Sequence, residues 1–253
     1  MRRVEECMGT VFSIDVRDPD VGEPAIDDVV QWLHWVDSTF STYQPGSEIS
    51  RLARGDITLR ECDPQVRKIL DLCDDLDWAT SGYFSAYATG VLDPSGVVKG
   101  WAIEQASELL RAAGSANHCV NGGGDVQCAG EFEPGQPWRI GVAHPLEPAQ
   151  LAGVVAGTDL AVATSGTAER AQHIVDPHTR RPPTALAAVT VVGQQLTYVD
   201  PYATAAFAMG DRAQSWLEGL PGYWAFGMTA DGAAWRTTGF ADTATTPSAT
   251  SRR

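Results

Sequence analysis

The amino-acid sequence predicts an α+β fold: a single domain with a largely antiparallel sheet flanked by helices. Strand-like and helix-like stretches are interspersed without regular βαβ alternation, and several strand-like stretches follow one another directly. The chain has 253 residues, 43% apolar and 20% charged. That is a globular composition, able to bury a core without disulfide staples.

Taken in order, Thr10–Val16 alternates apolar and polar residues and reads as a strand. The stretch Asp27–Phe40 sets Val29, Val30, Leu33, Val36 and Phe40 at helical spacing. A second helix is expected over Gln65–Trp78, with Val66, Ile69, Leu70, Cys73 and Leu76 on one face. A third is expected over Val98–Ala113, ahead of Gly114 at a helix C-terminal position. Strands are expected around Cys119–Val120, Val126–Ala129, Trp138–Ala143, Leu160–Ala163, Ala187–Val192 and Tyr223–Met228. Asp200 is expected to open a helix with Pro201 at its first position. A hairpin turn is expected at Asp231-Gly232, and residues 1–240 are expected to fold together. The polar segment 241–253 is expected to be a disordered tail.

Charge narrows the function classes. Eighteen Lys and Arg stand against 32 Asp and Glu, a net charge of −14. A nucleic-acid binder needs clustered cations, and none occur. An anionic ligand would need local help from a metal or from backbone N–H groups. The five cysteines fit neither a zinc site nor a disulfide framework by their spacing, which leaves buried free thiols as the expectation. The start MRRVEECMGT holds no apolar run of about 7–15 residues. No stretch approaches the ~18 apolar residues of a spanning helix. A cytoplasmic protein without a membrane anchor is therefore expected.

Four segments carry candidate chemistry. STYQPGSEISRL (41–52) is a polar loop in which Ser47 is placed to cap a helix. LDPSGVVKGWA (92–102) runs from a turn into a helix, and exposed N–H groups there together with Lys99 suit a phosphate. NGGGDV (121–126) allows positive φ and close backbone approach, or is simply a hairpin turn. In ATSGTAERAQHIVDPHTRRP (163–182), Thr164, Ser165 and Gly166 end a strand, and His173 precedes Asp176 by three. His173 is either a general base near neutral pH or structural. Asp200 and Thr204 lie four apart on one helical face, a hard-oxygen pair suited to Mg²⁺, or a capping Asp and its neighbour.

In this order, Met8-Gly9-Thr10, STYQPGSEISRL, LDPSGVVKG, NGGGDV, WRIGVAHP, ATSG, HIVDPHTRRP and VDPYATAAFAMG resemble the FAD:protein FMN transferase family, also named the ApbE family. The resemblance covers about residues 8–235. It implies a Mg²⁺-dependent phosphoryl transfer. A Thr or Ser hydroxyl in a flavinylation motif of an acceptor protein attacks the FMN-side phosphorus of FAD, and AMP leaves. It implies metal ligands at Asp200, Thr204 and the Val98 carbonyl, and flavin contacts at Met8, Tyr43, Asp93, Lys99 and Val175. It places Thr164, Ser165 and Gly166 at the pyrophosphate and His173 as the base. The alternatives are an FAD pyrophosphatase giving FMN and AMP, and a flavin-binding protein without catalysis. Pro94, Ser95 and Val98 depart from the family's LDLGGIAKG, and Arg180 stands where the family's DPxTGxP has glycine.

Overall fold

A computed structural model describes residues 1–147, 149–167 and 174–240, and the backbone of 244–245. Eight strands form the main sheet in the order β1-β2-β3-β4-β7-β8-β9-β10, each pair antiparallel. They are β1 (Arg2–Cys7), β2 (Thr10–Val16), β3 (His118–Gly122), β4 (Asp125–Ala129), β7 (Ala161–Gly166), β8 (Leu186–Gly193), β9 (Trp224–Thr229) and β10 (Ala234–Arg236). A second sheet pairs β5 (Trp138–Ala143) with β6 (Leu151–Gly157). Helices α1 (Glu23–Phe40), α2 (Glu48–Arg54), α3 (Pro64–Ala79), α4 (Ser95–Ala112), α5 (Leu196–Met209) and α6 (Ala213–Glu218) complete the α+β architecture.

The helices form where apolar spacing and end signals agree. In α1, Ile26, Val29, Leu33, Val36 and Phe40 are buried along one stripe. Helix α3 starts at Pro64 after Asp63, whose side chain accepts the Gln65 N–H. Ser47 caps α2 by accepting the Ser50 N–H at 3.0 Å. Most of the large buried side chains belong to one core between the main sheet and α1, α3, α4 and α5. A smaller apolar cluster, with Val126, Cys128, Trp138, Val142, Val155 and Val162, joins the two sheets.

Two hairpins present their turns at the same end of the main sheet. Met8 and Gly9, with φ of 51° and 67°, join β1 to β2, and Gly123 and Gly124, with φ of 60° and 94°, join β3 to β4. Two consecutive positive φ values match the twist of the flanking strands. The β2–β3 pairing brings the turns side by side, and Gly123 donates its N–H to the Val11 carbonyl at 3.1 Å. A Cβ on Gly123 would stand 2.7 Å from Thr10 Oγ1, so glycine is needed there for space as well as for φ.

One expectation is corrected. Asp200 does not open its helix. Helix α5 begins at Leu196, and Pro201 lies inside it. The first two N–H groups are satisfied from far along the chain: Leu196 donates to Gln127 Oε1 at 3.0 Å and Thr197 to Glu104 Oε2 at 2.8 Å. These partners replace a local cap. The pairing of β1 and the strand β6 add to the expected elements, because their exposure patterns carry no clean alternation. Within the expected tail, Ala244–Thr245 (β11) pairs with Val154 and Val155 of β6. The rest of 241–253 lies outside the described residues. All five cysteines are free thiols; four are buried as expected, and Cys119 is half-exposed. No described helix is long and apolar enough to cross a membrane.

Candidate active site

The second turn of α4 faces the middle of α5. A Cβ at position 100 would lie 2.6 Å from the Leu196 carbonyl oxygen and 2.8 Å from Asp200 Cβ, so only glycine permits this approach. The Gly100 N–H donates to Asp200 Oδ2 at 3.0 Å. One residue earlier, the Lys99 ammonium lies 3.2 Å from that same Oδ2. On its other side the ammonium contacts Asp125 Oδ2, just past the Gly123–Gly124 turn.

Asp125 is 1% exposed and Asp200 is 4% exposed. Asp125 Oδ1 accepts the Thr164 N–H at 3.0 Å. Among the described residues Asp125 Oδ2 accepts no hydrogen bond, and the Lys99 ammonium compensates its charge. Thr164 Oγ1 is 2.9 Å from Thr190 Oγ1, and Ser165 Oγ is 3.5 Å from Thr204 Oγ1. The end of β7, the β3–β4 turn, α4 and α5 thus meet at one polar cluster. It contains two buried carboxylates and one half-buried ammonium. Buried charge on this scale demands compensation, and the cluster still carries one formal negative charge more than it neutralises. Such a site favours an added cation with hard oxygen partners. Among the described residues no three His, Cys, Asp or Glu side chains converge as metal ligands. A cation here would rely on hydroxyl and carbonyl oxygens beside a carboxylate.

Of the residues expected from the sequence, the structure gathers Lys99, Thr164, Ser165, Asp200 and Thr204 into this cluster. Val98 is buried in α4 beside Lys99, and Gly166 ends β7. Met8, Tyr43, Asp93 and Val175 do not join the hydrogen-bonded and ionic set. Met8 occupies its hairpin turn, packed against the core. Tyr43 stands 88% exposed between α1 and α2. Asp93 Oδ1 accepts the Ser95 N–H at 3.0 Å and so shapes the start of α4. Val175 is half-buried next to Asp176. His173 lies outside the described residues. The sequence reading gave NGGGDV only backbone freedom or a hairpin turn and missed the Asp125 side chain. The available signal was an acidic residue placed directly after three glycines and followed by a wholly apolar position.

The segment after His173 is fixed by Asp176. Its carboxylate accepts the His178 N–H at 2.9 Å and the Thr179 hydroxyl at 2.8 Å, and its backbone pairs with Arg181. His178 then packs on Tyr83, ring centroids 4.5 Å apart, and its Nε2 lies 3.1 Å from the Ser81 carbonyl oxygen. The turn is therefore docked on the connection between α3 and α4.

A family model described as the ApbE family matches residues 8–91 and 87–226. The chain belongs to the ApbE family. An FAD:protein FMN transferase of Vibrio cholerae is 31% identical over 130 residues, which is 47% of this chain and 39% of that protein. One of Rhodobacter capsulatus is 33% identical over 128 residues, 47% of this chain and 24% of that protein. The chain thus spans less than half the length of these curated relatives. Over the whole fold it superposes on the structure of flavin transferase ApbE from Vibrio cholerae with a TM-score of 0.84 and 21% identity, covering 96% of this chain and 98% of the other. The ApbE protein of Thermotoga maritima gives 0.86 at 21% identity, with 96% and 98% covered. These structures establish the ApbE fold. Arg180, at the position where the sequence resemblance expects glycine, adopts φ of 56°. A non-glycine residue in the left-handed region places strain on this turn.

Proposed function

We propose that the chain is an FAD:protein FMN transferase. It cleaves FAD at the pyrophosphate, joins FMN through a phosphoester to a Thr or Ser of an acceptor protein, and releases AMP. Family membership supports this reading, and one structural observation carries it: the pair of buried carboxylates, Asp125 and Asp200, which among the described residues share the single Lys99 ammonium. In a protein of net charge −14, a pyrophosphate needs local positive charge. The Lys99 ammonium supplies part of it. Asp200, Thr204 and the Val98 carbonyl are the oxygen donors that would hold Mg²⁺. When bound, it neutralises the pyrophosphate and stabilises charge developing on the leaving AMP.

The chain's own groups then have separable roles. Asp125 holds Lys99 toward the cluster and orders the end of β7 through the Thr164 N–H. Ser165 and Thr204 offer hydroxyls beside Asp200. Gly100 keeps α4 against α5, so the Asp200 carboxylate stays where its Oδ2 meets both the Gly100 N–H and Lys99. His173 is proposed as the base that takes the acceptor hydroxyl proton. Met8, Tyr43, Asp93 and Val175 are proposed to meet the flavin moiety, with exposed Tyr43 able to stack on the ring system.

The test is incubation with FAD, Mg²⁺ and an acceptor protein carrying a Thr/Ser flavinylation motif, read by intact mass and by nucleotide chromatography. The reading expects an acceptor gain equal to FMN, with AMP released in the same amount. FMN and AMP without acceptor gain would identify a pyrophosphatase instead, and bound but intact FAD a binding protein. Asp200→Ala is expected to lower transfer by orders of magnitude, and His173→Asn about 10²–10⁴-fold.

A further inference from the structure

The main sheet places two thiols face to face outside the polar cluster. Cys119 of β3 and Cys128 of β4 are direct partners in the antiparallel register. The Cys128 S–H donates to Cys119 Sγ at 3.2 Å. The backbone N–H of Cys128 goes to the Leu160 carbonyl on the opposite side, at 2.8 Å. The Cys119–Cys128 pair therefore occupies a non-hydrogen-bonded position of the β3–β4 ladder, where Cα atoms stand about 4.5 Å apart. That spacing falls inside the ~4.4–6.8 Å range that a disulfide spans. Neither residue is spaced in the sequence like a redox or metal motif, so the register alone creates the pair.

We propose that Cys119 and Cys128 form a dithiol site that closes to an intrachain disulfide by exchange with a low-molecular-weight disulfide such as glutathione disulfide. Cys119 is half-exposed and Cys128 is wholly buried, so the exchange begins at Cys119. Its thiolate sulfur attacks one sulfur of the oxidant, the oxidant's S–S bond breaks, and the first glutathione thiolate leaves and takes a proton. Cys128 then gives up its proton to solvent, and its sulfur attacks Cys119 Sγ in the mixed disulfide. The second glutathione thiolate leaves. Two protein thiols are oxidised, and one disulfide is reduced to two thiols. The bond to Cys119 and burial hold the Cys128 thiol well above the ordinary thiol range, so little thiolate forms there and Cys128 reacts only in the second step, with the mixed disulfide already beside it. The bridge would tie β3 to β4 just below the glycine turn and Asp125. It would stay open in a glutathione-reducing compartment and close in an oxidising one.

Both cysteines fall in one tryptic peptide, residues 112–139, which contains no other cysteine. The full chain is incubated with glutathione disulfide under native conditions, free thiols are blocked by alkylation, and this peptide is weighed. The proposal expects loss of two hydrogen masses and protection of both residues from alkylator. It also expects reversal by dithiothreitol. Reduced wild type is expected to take up one phenylarsine oxide, a dithiol-directed trivalent arsenical, on this peptide. The Cys119→Ser variant, checked for a wild-type unfolding midpoint, is expected to take none. A glutathione adduct that persists on Cys119, or two alkylatable thiols after oxidation, would overturn the proposal. So would arsenical uptake on the peptide in Cys119→Ser.

Discussion

Gly100 on α4 and Asp200 on α5, a hundred residues apart, are hydrogen-bonded through the glycine N–H and Oδ2 at 3.0 Å. The bond exists because position 100 has no side chain, and it fixes the carboxylate that the neighbouring Lys99 ammonium also meets. Helix packing and site geometry are the same contact here.

Gly100→Ala therefore couples stability to activity. The added Cβ meets backbone oxygen and Asp200 Cβ below 3.0 Å, contacts that require α4 and α5 to separate. A destabilisation of about 1–3 kcal/mol is expected from overpacking, together with a fall in FMN transfer. Urea unfolding followed by circular dichroism checks the first part. A variant with wild-type midpoint and rate would contradict the close helix contact.

Asp125 separates charge from hydrogen bonding. Asp125→Asn retains an oxygen for the Thr164 N–H but removes the charge facing Lys99. The fold should persist while transfer falls about 10–100-fold, the scale expected when a neighbour that positions a charged group is lost. Asp125→Ala also strands the Thr164 N–H and should cost a further ~1–3 kcal/mol of stability. Steady-state transfer rates and thermal midpoints of the two variants, compared side by side, distinguish these effects.

Arg180 holds a left-handed backbone at φ of 56°. Its replacement by glycine relieves about 1–2 kcal/mol of strain against about 0.5–1 kcal/mol of added unfolded-state entropy. A net gain of ~0.5–1 kcal/mol is expected for Arg180→Gly. Equilibrium denaturation measures it, and a loss of stability would mean that the Arg180 side chain contributes more than the turn costs.

His118 makes stability depend on pH. It is wholly buried between Ser107 Oγ at 2.7 Å and Ser115 Oγ at 3.0 Å. Burial, the larger cause, and the Arg111 charge push its pKa from 6.5 down to about 4. Between those values the unfolded chain binds a proton that the native chain does not, so stability present above 6.5 is lost as pH falls toward 4. The loss amounts to at most about 3 kcal/mol. His118→Gln keeps a bonding group without titration, and its stability should fall less steeply across this window. Identical pH slopes for the two proteins would refute the assignment.

What the sequence by itself determined follows from local rules. The apolar stripe of α1, the Asp63-Pro64 start of α3, the Ser47 cap and the glycine turn before Asp125 depend on periodicity and backbone freedom, which neighbouring residues encode. The ordered motifs likewise pointed to the ApbE family and to Lys99, Thr164, Ser165, Asp200 and Thr204. Tertiary structure decided what depends on distant partners. Helix α5 begins four residues before Asp200 because Gln127 and Glu104 satisfy its first N–H groups, a cap no local pattern contains. Asp125 joined the polar cluster only when the β3–β4 turn was set against Lys99 of α4. Cys119 met Cys128 only through strand register, because a pairing that flips with a one-residue slip is fixed by the buried face of the whole sheet and not by spacing along the chain.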